Sequence, residues 1–67
     1  MKLIETKTHW IPMQPHGVIP FPEDGDIEAA AKRALKLGGI PGPYPDIKYI
    51  VHHNVDHSKS IVFELMP

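Results

Sequence analysis

An α+β fold built in the order strand, helix, strand, strand is what this 67-residue sequence predicts. Three observations carry it. The eight prolines fall in clusters, Pro12, Pro15, Pro20 and Pro22, then Pro41, Pro43 and Pro45, with Pro67 last. Because proline lacks an amide donor and fixes φ, these clusters punctuate the chain and leave regular segments between them. One of those segments has helix signals at both ends, and two others alternate apolar and polar residues around a polar loop. The expected architecture is a single small domain over residues 1–67, with a three-stranded, mainly antiparallel sheet. One helix packs on one face, and a long proline-rich connection joins the first strand to the helix.

Residues 2–10 read as the first strand. Ile4, Thr6, Thr8 and Trp10 share one face, while Leu3, Glu5, Lys7 and His9 share the other, and the β-branched and aromatic content suits a pleated surface. The connection over residues 11–23 is long for a compact domain and carries Ile11, Met13, Val18, Ile19 and Phe21. Such an arm either drapes over its own core or packs on a neighbouring subunit. In the second case Met13, Ile19 and Phe21 become interface residues.

The helix is the clearest element. Asp24-Gly25-Asp26 supplies an acidic N-cap, residues 27–37 are strong helix formers, and Gly38-Gly39 marks the stop. Ile27, Ala30, Ala31, Ala34 and Leu35 form one apolar face, opposite Glu28, Lys32, Arg33 and Lys36. Residues 46–53 and 60–66 read as a hairpin. Its faces, Ile47, Tyr49 and Val51 with Ile61, Phe63 and Leu65, coincide only if paired residues have numbers of like parity, as with Val51 opposite Phe63 around an odd-length loop of residues 55–59.

The reverse face of that hairpin carries Lys48, Ile50, His52, Val62, Glu64 and Met66. In a three-stranded sheet with its helix on the other side, Ile50, Val62 and Met66 lie uncovered, with Leu3 nearby. A domain this small buries only about 60% of the surface of its unfolded chain. With no cysteine to supply disulfides or thiolate-bound metal, pairing with copies of itself is the expected remedy. Ile50, Val62 and Met66 are therefore expected at an interface.

Composition narrows the function classes. The chain is 42% hydrophobic and 22% charged, with a formal net charge of -1, so it is a folding sequence without the positive excess of general nucleic-acid binders. No apolar run reaches the roughly 18 residues of a membrane span. An acid at Glu5 interrupts any signal-like start, and a cytoplasmic protein with no membrane partner is expected.

Candidate chemistry is sparse. Three of the five histidines lie in His52-His53-Asn54-Val55-Asp56-His57. His53, Asp56 and His57 present two imidazoles and a carboxylate that could converge across the loop on zinc or nickel, against the simpler reading of solvated loop histidines. Ser58 and Ser60 stand beside His57 in sequence, but adjacency is not a nucleophile–base–orienter arrangement. Asp24 and Asp26 are accounted for by capping, and Glu64 by a solvated strand. Gly38-Gly39-Ile40-Pro41-Gly42 comes after a helix, whereas phosphate-cradling loops precede one. Lys32, Arg33 and Lys36 form a short basic stripe that would have to carry any nucleic-acid contact, with Trp10, Tyr44 and Tyr49 available for stacking. Pro12-Met13-Gln14-Pro15 has P-x-x-P spacing without a flanking arginine.

Element order, length and the closing Ile61-Val62-Phe63-Glu64-Leu65 make the chain resemble the dodecins, small flavin-storing proteins whose strand–helix–strand–strand subunits assemble into a hollow shell. The likeness covers topology and one strand. The second strand has no tryptophan and Trp10 lies in the first, so flavin stacking is not carried over, and no cofactor is expected. The leading expectation is a non-enzymatic binding or assembly module acting as a homo-oligomer. A nucleic-acid or regulatory module using the basic helix face comes second, and a metal- or small-ligand-binding protein third.

Overall fold

The computed structural model describes residues 1–66 and contains five elements: β1 (Leu3–Glu5), β2 (His16–Pro20), α1 (Ile27–Leu37), β3 (Ile47–His53) and β4 (Lys59–Leu65). The strands form one mixed sheet in the order β1-β3-β4-β2. β1 runs parallel to β3, while β4 is antiparallel to both β3 and β2. The α+β class and the single helix match the sequence reading. The sheet, however, has four strands instead of three, and β1 is parallel.

The extra strand comes from the proline-rich connection. Residues 16–20 read as irregular in the sequence, yet Gly17, Val18 and Ile19 pair with Phe63, Val62 and Ile61. Proline is tolerated there because β2 lies at the sheet edge, where Pro20 can turn its missing donor away from the ladder. The first strand is correspondingly shorter than residues 2–10. Its pairing ends when Thr6 donates its amide to the Tyr49 carbonyl (2.9 Å), and the Thr6 hydroxyl then accepts the Thr8 amide (3.1 Å), turning the chain off the sheet.

Topology dictates the path of the next segment. β1 and β2 are consecutive in sequence but occupy opposite edges, and α1 covers one face, so residues 6–15 must cross the other. They form a strap over β3 and β4. Three inter-strand steps amount to roughly 14 Å, well within the reach of ten extended residues.

The helix begins and ends as expected. Asp26 is the N-cap, its carboxylate accepting the Ala29 amide (3.1 Å), and Asp24 in turn accepts the Asp26 amide (2.9 Å). At the other end Gly39 adopts φ +83, the Ile40 amide reaches back to Leu35 and the Gly39 amide to Lys36. This is the Schellman arrangement, which needs a left-handed residue at the glycine. Ala31, Leu35, Ile47, Ile61, Phe63 and Leu65 form the buried core, with Ile19, Phe21, Ile27, Ala34, Tyr49 and Val51 packed around it.

Like-parity pairing in the hairpin holds, but the register differs by two residues from Val51 opposite Phe63. Val51 faces Ile61 and Tyr49 faces Phe63, so the loop spans residues 54–58. Turn chemistry decides this. The Asn54 amide bonds the Ser58 carbonyl (2.9 Å), the His57 amide bonds Asn54 (3.2 Å), and His57 takes φ 72. A turn bond followed by a left-handed residue is a recurrent way of closing a hairpin.

The strap covers part of the face whose exposure made self-association the expected remedy. Ile50 is only 5% exposed within a single chain, and Val62 and Met66 are half-buried. Ile19 and Phe21 pack against their own core. Of the residues expected at an interface, only Met13 stands fully exposed, at 90%.

Candidate functional site

Beneath the strap lies a heavily bonded carboxylate. Glu64 sits on β4 directly across from Lys48 on β3, on the sheet face away from α1. Its carboxylate accepts from Lys48 Nζ (3.0 Å) and from the strap amides of Met13 (3.0 Å) and Gln14 (3.3 Å). Bonding to Lys48, helped by the Met13 amide, holds its pKa down at about 2 against the opposing effect of desolvation. Glu64 is therefore a buried anchor and not the solvated strand residue expected. Lys48 in turn lies 4.6 Å from the Trp10 ring centroid, a cation–π contact made by the strap. Further along, His9 meets His52 edge to face at 5.7 Å. Ile50 lies between Lys48 and His52 on the same face of β3, which explains its burial. Trp10 Nε1 is buried with no hydrogen-bond partner among the described residues.

The arrangement is structural: it ties the strap down. Sequence reasoning missed it although one signal was present. Glu64 is the only acid in a run of apolar residues closing the chain, and Lys48 occupies the matching face of the partner strand.

The candidate metal ligands do not converge. Among the described residues no three histidine, aspartate or glutamate side chains are grouped to hold an ion. Asp56 is occupied by the hydroxyl (2.6 Å) and amide (3.0 Å) of Ser58, whose hydrogen bonds lower its pKa. His53 and His57 are exposed at separate positions, one on a strand and one at the left-handed corner of the turn.

The basic stripe is partly neutralised. Lys32 pairs with Glu28 at 3.3 Å, and Arg33 borders a shallow hollow shared with Glu23, Asp24 and Asp26. Of the three, Lys32 alone makes an ion pair among the described residues, and three cations beside these acids give little hold on a phosphate backbone.

Several apolar side chains also stand exposed. Ile11 is 86% exposed and Met13 90% on the strap, and Val18 is 63% exposed on β2, on the face the strap crosses. On the helix side of β2, an open hollow of about 400 Å³ is lined by Ile19, Phe21, Arg33, Ala34 and Leu37, with Leu37 83% exposed.

Compared with known proteins, the chain matches no family model, no curated protein and no solved structure. The likeness to the dodecins thus gains no support, and the additional strand β2 departs from the element order on which it rested. Among the described residues no helix is long and apolar enough to cross a membrane.

Proposed function

We propose that this protein is a small non-enzymatic binding or assembly module that acts as a homo-oligomer. The observation carrying the reading is the exposure of Val18 on an edge strand, with Ile11 and Met13 uncovered on the same side of the sheet. Grouped apolar side chains on a small domain favour association because covering them removes them from water. A near-neutral net charge of -1 offers little repulsion between copies. The cytoplasm is the compartment proposed, supported by a fold that calls on no disulfide.

Size-exclusion chromatography with light scattering, run across a wide range of concentrations, tests the reading. Association beyond one chain, weakened when Val18 is replaced by lysine, is the expected result. A mass of one chain at every concentration overturns it.

A further inference from the structure

Which surface joins two copies is written in the backbone of β2. Among the described residues only β4 flanks this strand. The Leu65 amide donates to the Pro15 carbonyl (3.1 Å) and the Phe21 amide to the Lys59 carbonyl (3.0 Å). Those bonds put positions 15, 17, 19 and 21 in phase with β4, and the N–H and C=O groups of His16 and Val18 therefore point away from the sheet. Neither amide has a partner among the described residues. Pro20 is the next outward position and has no N–H to offer.

An open edge is normally blunted by a charged residue, a proline or a bulge that discourages pairing, and in β2 Pro20 blocks only the last outward position. Residues 15–20, Pro15-His16-Gly17-Val18-Ile19-Pro20, hold no lysine and no acid. The geometry points to antiparallel pairing of two β2 edges about a two-fold axis, so that two copies share one eight-stranded sheet. This rests on the homo-oligomer reading above and names its contact.

The hydrogen bonds are self-complementary. With the axis at Gly17, the groups of His16 exchange bonds with those of Val18 in the other copy. With the axis at Val18, the two valines exchange bonds and each His16 amide reaches the Pro20 carbonyl opposite. In both registers all four outward donors find acceptors. Pro20 then ends the ladder, and an isologous contact closes at two chains where a head-to-tail one would grow. On one face of the joined sheet the pairing covers Val18. On the other it brings together the two hollows beside α1, each bordered by Leu37 and by one charge of each sign, Arg33 and Glu23, so that like copies do not repel.

Val18→Pro is the decisive variant, because it deletes an outward N–H that makes no bond within the chain and leaves the β2–β4 ladder intact. Light scattering should show the wild type at twice the single-chain mass. The variant should dissociate with a Kd weaker by about tenfold or more, while keeping its circular dichroism and cooperative melt. An Ile11→Lys, Met13→Lys double variant on the strap should weaken association far less. A folded Val18→Pro protein that still pairs as tightly as wild type, or dissociation by the strap variant alone, overturns the edge contact and leaves the homo-oligomer standing. A wild type that is monomeric throughout overturns both. Should Val18→Pro fail to fold, amide exchange of the wild type decides: the His16 and Val18 amides must become protected as the dimer forms, and free exchange at dimer concentrations overturns the inference.

Discussion

Removing the charge of Glu64 should detach the strap. In Glu64→Gln the Lys48 ion pair is lost, and the amides of Met13 and Gln14 donate to a neutral acceptor in place of a carboxylate. The drop of the Glu64 pKa from an ordinary 4.5 to about 2 corresponds to roughly 3 kcal/mol of preference for the ionised group in the folded chain. Its side chain keeps 10% exposure at the sheet surface, and water there screens the pair, so a loss of about 1–2 kcal/mol is expected. Folding lowers this pKa, so the stabilisation is complete above about pH 4.5 and fades as pH falls towards 2. Trp10 is the sole tryptophan and belongs to the strap, so its emission reports strap docking. Urea unfolding at pH 7 should show Glu64→Gln less stable than wild type. Between pH 4.5 and 2 the wild type should lose stability and its emission should shift to the red, whereas Glu64→Gln should lack this contribution to the pH dependence. Equal stabilities at pH 7 together with unchanged acid profiles would refute the assignment of Glu64 as anchor.

Two further substitutions test the packing and the turn. A Cβ at Gly17 would stand 2.7 Å from Phe63 Cζ, and that ring is fully buried with no room to retreat, so Gly17→Ala should lower the urea midpoint by the equivalent of about 1–3 kcal/mol. Wild-type stability in that variant would show that β2 is not held against Phe63. At His57, φ 72 strains any side-chain-bearing residue. His57→Gly should therefore raise thermal stability by about 0.5 kcal/mol, after allowing for the greater freedom of glycine in the unfolded chain, and a clear loss of stability would contradict the left-handed corner.

Legibility tracks the range of the forces involved. The helix is readable to its ends, because Asp26, Gly39 and the alanine face act within a few residues of one another. Hairpin parity is readable for the same reason, since period-two alternation decides which side chains share a face. Its register is not, because the turn bonds of Asn54, His57 and Ser58 fix the loop away from where strand hydrophobicity alone sets it. Whether His53, Asp56 and His57 converge was equally illegible: Ser58 bonds the Asp56 carboxylate, a local competition that a ligand count does not show.

By itself the sequence determined an α+β chain with one capped helix and a two-stranded ribbon, and it located the apolar faces that had to be covered. Only the tertiary structure decided what covers them. A ten-residue crossing between opposite sheet edges, tied by Glu64 to amides about fifty residues away in sequence, shields Ile50 within one chain and leaves apolar side chains uncovered at Val18 and on the strap, among others. That outcome depends on strand order. Strand order arises from long-range pairing, whose loop-closure cost and hydrogen-bond partners leave no periodic mark in the residues that make it.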